Sequence, residues 1–178
     1  TVKRNASLTP LTDVSGKWEI ASPETLREFS ATAYYFGRLL NRILHVPVGL
    51  IHSSWGGSSA EAWMSEDMLK AFPNVTIPKT EEGIKDKNRT PTMLYNAMIY
   101  PLLGMTIKGF IWYQGESNYD RPNTYTQMFV TLVKGWREKW KLNDTIPFYY
   151  CQIAPYDYSL VTANGKEVIN SAYLREAQ

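Results

Sequence analysis

The sequence has 178 residues, 44% hydrophobic and 20% charged, which is typical of one globular domain and too apolar for a disordered chain. Its 19 basic and 17 acidic residues leave a formal net charge of +2, which gives no indication of nucleic-acid binding, and no apolar stretch approaches the ~20 residues of a membrane helix. The single cysteine, Cys151, excludes an internal disulfide, and without a Cys/His cluster no metal site or cofactor is expected.

The first half of the chain predicts an irregular start followed by a helix and a strand. Residues 1–22 are rich in Thr, Ser and Pro and predict an irregular lead-in. A helix follows, because apolar residues recur at steps of three and four: Phe29, Ala33, Phe36, Leu40 and Leu44. It is predicted to end near His45, since Pro47 disfavours helical geometry in the residue before it. The apolar residues 48–51 then predict a short buried parallel strand, with a Gly/Ser-rich loop at 53–59.

The second half predicts further alternation of helices and strands. A helix is expected from the spacing of Leu94, Met98 and Leu102, and strands are expected at residues 107–113 and 147–153. A long helix begins near Pro122 and carries one apolar stripe: Tyr125, Met128, Phe129, Leu132, Trp136 and Trp140. Residues 171–178 predict a last helix, with Ser171 as its N-cap. The alternation predicts an α/β fold with a parallel sheet, a single unit over 1–178 whose core is 23–178.

Two polar loops are the candidate functional site, because ligands bind outside the carboxyl ends of parallel strands. In the first loop, Gly56 and Gly57 allow backbone N–H groups to approach a ligand, as in an oxyanion hole; equally, they simply turn the chain. The second loop, residues 114–118, carries four hydrogen-bonding side chains around Gly115, more than a turn needs.

Both loops resemble motifs of one enzyme family. Residues 48–63 (VGLIHSSWGGSSAEAW) resemble the second conserved block of carbohydrate esterases of the sialate O-acetylesterase type, and residues 111–118 (IWYQGESN) resemble the third. The stretches 94–99, 136–140 and 152–155 match in the same order, so the resemblance covers nearly the whole chain. It implies an SGNH-hydrolase-like three-layer α/β/α sandwich, incomplete in this chain.

The resemblance implies that a serine, a histidine and an aspartate hydrolyse acetyl esters on sugars. It assigns oxyanion donors to Gly57, with Gly56 less favoured, and to a side chain of the second loop. That loop lacks the Gly-x-Asn sequence of SGNH enzymes, so Gln114 is ranked before Asn118. The remaining substrate-binding candidates come from the matched stretches: Trp55, Gly56, Glu61, Tyr95, Asn96, Gly115, Glu116 and Ser117.

The family's nucleophile and Asp/His blocks are not found in this sequence. No Gly-Gln-Ser occurs, and no Asp stands three residues before a His. We therefore expect an internal segment of a longer esterase, inactive and prone to self-associate when alone. The expected partner is an acetylated carbohydrate, with no nucleic acid, no membrane span and an open oligomeric state. Family habit implies a secreted or periplasmic protein, although no signal-peptide pattern opens the sequence.

Other interpretations of the same residues remain. Glu61 and Glu116 are the two carboxylates that a glycosidase would need. A sugar-binding module without hydrolysis is another alternative, given that 13% of the residues are aromatic. A local Ser/His pair near His52 is disfavoured, because triad members are normally distant in sequence, and His52 is expected to pack or hydrogen-bond beside the site. Four triplets fit the glycosylation pattern: Asn5-Ala6-Ser7, Asn74-Val75-Thr76, Asn88-Arg89-Thr90 and Asn143-Asp144-Thr145.

Overall fold

The fold is α/β, with helices packed around a small parallel sheet. The computed structural model describes residues 1–157 and 171–178. Its α-helices are α1 (Ala31–Leu44), α2 (Glu66–Leu69), α3 (Pro122–Lys139) and α4 (Ser171–Ala177), and its strands are β1 (Phe110–Trp112) and β2 (Phe148–Tyr150). Short 3₁₀ turns lie at Ala60–Trp63, Tyr100–Leu102 and Glu116–Asn118, and a π-helical segment lies at Tyr95–Ile99. In the described part of the chain, no helix has the length and apolarity needed to cross a membrane.

Helix α1 confirms the first predicted helix. The hydroxyl of Ser30 caps it by accepting a hydrogen bond from Ala33 N at 3.2 Å. It ends at His45, which adopts a left-handed conformation (φ 54°) and donates its N–H to Asn41 O. The preceding lead-in, residues 1–22, is irregular as predicted, but it is tied to the body through Val2, which is buried and donates its N–H to His52 O at 2.8 Å.

The sheet is smaller than the sequence predicts. Strands β1 and β2 pair in parallel, with Phe110 opposite Phe148, and each is shorter than its predicted range. The prediction of a strand at 48–51 is wrong, because these residues join no ladder in the described structure. A strand requires a neighbour to pair its backbone groups, and Leu50 packs instead against α1, where it fills the space beside Gly37.

Helix α3 covers the sheet with the apolar stripe that the sequence predicts. Pro122 lies in the first turn of the helix, where a backbone N–H would have no intrahelical acceptor, so proline loses no hydrogen bond there. Trp112 of β1 lies between Phe129 and Trp136 of α3, with ring centroids 6.5 and 5.5 Å away. Trp140 follows the helix as its C-cap and packs edge-on against Phe110. This aromatic layer fixes the position of β1, and therefore of the loop that leaves it.

The segment around Met98 departs from the predicted α-helix. Leu94, Met98 and Leu102 are all buried, which confirms the predicted core face. The backbone nevertheless passes from a π-helix into a 3₁₀ turn, because Pro101 has no N–H with which to continue an α-helical ladder.

Helix α4 confirms the last predicted helix, with a different role for its first serine. Ser171 lies inside the first turn, and the N-cap position falls outside the described residues. Its hydroxyl accepts a hydrogen bond from Tyr156 N at 3.0 Å. Leu174 is fully buried, and Thr126 Oγ1 donates to Ala177 O at 2.6 Å, so α4 packs on α3.

The glycine in the middle of α3 is needed for close helix packing. A Cβ atom on Gly135 would stand 2.7 Å from both Cγ and Sδ of the buried Met68 on α2. We expect Gly135→Ala to lower the free energy of unfolding by about 1–2 kcal/mol, because overpacking outweighs the gain in helix propensity. Denaturant unfolding measures this, with Gly104→Ala, which has open space beside it, as the control. A stabilised Gly135→Ala variant would contradict the packing.

Helix α1 presents a second apolar stripe to solvent. Tyr35, Leu39 and Ile43 stand four residues apart and are 63%, 55% and 62% exposed. We expect the 178-residue chain, expressed by itself, to self-associate through such surfaces, and Leu39→Lys with Ile43→Lys to reduce the association. Sedimentation velocity over a range of concentrations measures it, and a strictly monomeric chain would refute the expectation.

Candidate functional site

The two candidate loops lie against each other, as the sequence predicts. Gln114 Nε2 in the second loop donates to Ser58 O in the first at 3.0 Å. In return, Asn118 Oδ1 accepts a hydrogen bond from Ala60 N at 2.9 Å. The second loop leaves the carboxyl end of β1, whereas the first follows an irregular segment. Contacts between side chain and backbone therefore join the loops, without a shared sheet.

Asn118 is the centre of this contact. It is 1% exposed, and its Oδ1 also accepts a hydrogen bond from Gln114 Nε2 at 2.6 Å. Its Nδ2 donates to Glu61 Oε2 at 2.9 Å. The backbone N–H of Ala60 can only donate and an ionised carboxylate can only accept, so the two partners together fix the orientation of the Asn118 amide. The Gln114 amide is fixed in turn, because it faces Asn118 Oδ1.

An ion pair between a buried glutamate and a surface arginine closes one end of the network. The Glu61 side chain is 3% exposed, and its Oε1 accepts a hydrogen bond from Arg121 Nη1. The Arg121 side chain is 45% exposed, so the charge of a buried carboxylate is balanced by a cation at the surface. The Arg121 backbone N–H donates to Asn118 O at 2.9 Å, which ties the ion pair to the second loop.

Gln114 is held from its other side by helices α3 and α4. The hydroxyl of Tyr125 donates to Gln114 Oε1 at 2.9 Å, and burial raises the pKa of Tyr125 to about 12, which keeps the phenol protonated. Gln178 Nε2 donates to Gln114 O at 3.0 Å. Gly115 has φ 151°, and a Cβ atom there would stand 2.9 Å from Ile153 Cγ2, so glycine is required for this close approach.

Gly57 is the backbone oxyanion donor that the family resemblance ranks first. Its φ of 72° favours glycine, it is exposed, and its N–H donates to no other described residue. Gln114 differs, because both protons of its amide are engaged by Ser58 O and Asn118 Oδ1. Asn118 is buried with one proton engaged by Glu61. The assignments of Gly57, Gln114 and Asn118 as oxyanion donors all stay predictions.

Other predicted substrate-binding residues belong to these two loops. Gly56 is exposed beside Gly57, and Trp55 is half-buried and packs on the core. Glu116 is exposed and lies beside Tyr113, whose pKa it raises through its negative charge. Ser117 is half-buried. These residues give the site one aromatic and several polar groups at the surface, and their contact with substrate stays a prediction.

Tyr95 and Asn96 belong to a second cavity, which the loops do not line. It has a volume of about 360 Å³ and includes Tyr95, Asn96, Thr92 and Ser65 among its lining residues. Asn96 Nδ2 donates to Ser7 O at 3.1 Å and to Leu8 O at 2.9 Å, so its amide holds the lead-in. Burial raises the pKa of Tyr95 to about 12.

His52 hydrogen-bonds beside the site, as expected, and its partner is Ser54. The Ser54 hydroxyl and His52 Nε2 are 2.6 Å apart, and the ring of Phe29 packs edge-on against the imidazole at 5.4 Å. Burial lowers the pKa of His52, and the positive charge of Arg4 lowers it further. In an extended chain, side chains two residues apart point to the same face and adjacent side chains point to opposite faces. The alternation that disfavours a pair of His52 with Ser53 therefore permits the pair with Ser54.

Neither a metal site nor an accessible carboxylate pair is found in the described residues. No group of three His, Cys, Asp or Glu side chains there is arranged to hold a metal ion. Glu61, one of the two carboxylates of the glycosidase interpretation, is engaged by Asn118 and Arg121 and is only 3% exposed. This environment suits a structural carboxylate better than a nucleophile.

Several residues that hold the two loops were not predicted from the sequence. They act on the loops through side chains from elsewhere in the chain: Asn88, Arg89, Arg121, Tyr125 and Gln178. Tyr125 carried one signal, as a member of the helix stripe. A signal for Arg121 was available, because a glutamate beside an apolar run requires a cation if it is buried.

Comparisons with known proteins agree on one family. The family model described as "Carbohydrate esterase, sialic acid-specific acetylesterase" matches residues 12–177. The human sialate O-acetylesterase is 39% identical over 146 residues, covering 77% of this chain and 27% of that protein. The Pongo abelii sialate O-acetylesterase is 41% identical over 140 residues, covering 74% of this chain and 26% of that protein. The chain thus spans about a quarter of the length of these curated relatives.

A solved structure supports the fold. The chain superposes on a carbohydrate acetylesterase from Xanthomonas citri with a TM-score of 0.81 and 34% sequence identity, covering 99% of this chain and 38% of that one. The predicted α/β fold of an SGNH-type esterase is therefore confirmed.

The Asn118 network predicts a pH-dependent loss of stability. Asn118→Asp places a second buried carboxyl group against Glu61, so its folded pKa lies above its unfolded value of about 3.9. The penalty therefore starts to grow as the pH rises above the unfolded pKa and reaches its full value above the folded pKa. We expect a loss of roughly 3 kcal/mol or more at about pH 8 and a smaller loss at about pH 5.

Chemical denaturation at the two pH values measures the difference. Asn143→Asp is the matched control, because this exposed side chain uses only its Oδ1, which accepts hydrogen bonds from Thr145. Equal stability of Asn118→Asp and the control at the higher pH would show that the network does not hold the loops together.

Proposed function

The chain belongs to the carbohydrate esterase family of sialic acid-specific acetylesterases, and we propose that the protein hydrolyses acetyl esters on sugars by acyl transfer to a serine. The observation that carries the proposal is the N–H of the exposed residue Gly57, which donates to no other described residue and lies on a loop that a buried network fixes to the loop after β1. A fixed, unpaired donor at the surface is what an oxyanion requires.

The proposed reaction has two steps. A serine oxygen attacks the acetyl carbonyl carbon while a histidine takes the serine proton, and the negative charge on the carbonyl oxygen is stabilised by Gly57 N–H. The intermediate collapses, and the sugar oxygen leaves with the proton from the histidine. Water then attacks the acetyl-serine in the same manner and releases acetate and the free serine.

The residues of this chain supply the binding part of that reaction. Gly57 donates to the oxyanion, while Gln114, Asn118 and Glu61 keep the two loops in register. Trp55 and the exposed Tyr113 stand at the surface of the same loops, where aromatic rings can pack on a sugar. The nucleophilic serine, the histidine and the aspartate come, in this proposal, from residues outside the 178 of this sequence.

The substrate class proposed is an acetylated carbohydrate. Acetylated sialic acid, acetylated xylan and simpler acetyl sugars all carry the same ester group, and a donor such as Gly57 N–H recognises the acetyl carbonyl rather than the sugar. The proposal therefore specifies the bond that is broken and leaves the sugar to be identified by assay.

Acetate release tests the proposal. The full-length protein is expected to release acetate from acetylated sugars and to form an adduct with a serine-directed phosphonate, seen by intact mass. The 178-residue chain, shown by circular dichroism to be folded, is expected to do neither. Sugar binding by the full-length protein without acetate release would favour the sugar-binding module instead. An adduct of the short chain at Ser54 would show that the pair with His52 is a working nucleophile.

A further inference from the structure

The carbonyl groups of the glycine pair are held from one neighbouring segment. Asn88 Nδ2 donates to Gly56 O at 3.0 Å, and Arg89 Nε donates to Gly57 O at 3.1 Å. The contact continues along the loop, where Ser59 Oγ donates to Arg89 O at 2.9 Å. Two consecutive peptide groups are thus held by donors from residues 88 and 89.

The hydrogen bond from Asn88 sets the direction of the proposed oxyanion donor. Gly56 O and Gly57 N–H belong to the same peptide group, which is trans like the others in the described chain. In a planar trans peptide the C=O and N–H bonds point in opposite directions. A side chain that holds Gly56 O on one side therefore turns Gly57 N–H toward the other, away from the Asn88 amide.

Such a constraint is needed because glycine does not supply it. Gly57 has φ 72°, and glycine populates positive and negative φ about equally, so the Gly56–Gly57 peptide is free to turn over unless an external bond holds it. Asn88 is half-buried on a turn closed by Arg89 N donating to Asp86 O at 3.0 Å. The backbone that carries this donor is therefore held in place by the protein itself.

We propose that Asn88 is a positioning residue that orients the Gly56–Gly57 peptide so that Gly57 N–H faces the developing oxyanion. The inference rests on the proposed function. It also assigns a role to a residue that the sequence pattern marks as a glycosylation acceptor: attachment of a sugar at Asn88 Nδ2 would replace one of the two protons of that amide and crowd its bond to Gly56.

Two substitutions in the full-length protein test the proposal. Asn88→Ala removes the donor, and Asn88→Asp replaces it with an acceptor that repels Gly56 O. Loss of one oxyanion donor lowers kcat by about 10²–10³-fold, so we expect kcat to fall roughly 10-fold for Asn88→Ala and roughly 100-fold for Asn88→Asp, with KM nearly unchanged. Inactivation by the phosphonate is expected to slow in the same proportion.

The matched control is Asn74→Asp, at an exposed glycosylation triplet whose side chain makes no hydrogen bond to another described residue. It should leave kcat and KM at the wild-type values. A rise in KM with constant kcat, or wild-type kinetics in both Asn88 variants, would overturn the proposal.

A second readout separates this inference from the proposed function. In protein labelled with [¹⁵N]glycine, the Gly57 amide resonance, identified by its loss in Gly57→Ala, is expected to shift in both Asn88 variants and to stay in place in Asn74→Asp. If the wild-type protein releases no acetate but this resonance shifts, the proposed function fails and the orientation by Asn88 stands. An unshifted resonance in an active enzyme refutes the orientation alone.

Discussion

The structure depends on one buried carboxylate that must be neutralised. Glu61 lies in the interior with Arg121 on one oxygen and Asn118 on the other. An isolated buried charge is so unfavourable that the chain around it has to bring a cation and a donor into place. Because Arg121 and Asn118 both come from the loop region after β1, satisfying Glu61 also brings the second loop onto the first. The approach of the two loops is in this sense a consequence of electrostatics.

That same requirement decides which groups of the site remain available for ligand. An amide has a limited number of donors and acceptors, and those of Gln114 are used by Ser58, Asn118 and Tyr125. The amide of Gln114 is thereby used in building the site, whereas the backbone N–H of Gly57 donates to no other described residue. A backbone donor has the advantage that its position follows from the fold, without a rotamer to be fixed in addition.

The sequence predicts helices α1, α3 and α4 and the two loops well, and it predicts the strands, the helix around Met98 and the network poorly, for physical reasons. Helices α1 and α3 depend on local spacing and on residues such as Pro47 and Pro122, which act within a few positions. A strand depends on a partner elsewhere in the chain, so the apolar run at 48–51 has the right composition without the ladder. Likewise, the contacts of Asn88 and Gln178 cross 32 and 64 residues, and no local pattern encodes them.

The glycines show how local and long-range demands combine at the site. Gly115 is required by its own φ and by the approach of Ile153, whereas Gly57 is required by φ alone and has room around it. Gly115 therefore permits close packing, whereas Gly57 permits an exposed turn, although the two glycines look alike in the sequence. Glycine allows the conformation of Gly57 but leaves its peptide flexible. Another residue has to hold that peptide, since a mobile donor would have to be ordered during the reaction. The hydrogen bond from Asn88 to Gly56 O provides that order in advance. Glycine thus supplies the backbone conformation, and Asn88 supplies the direction of the Gly57 N–H.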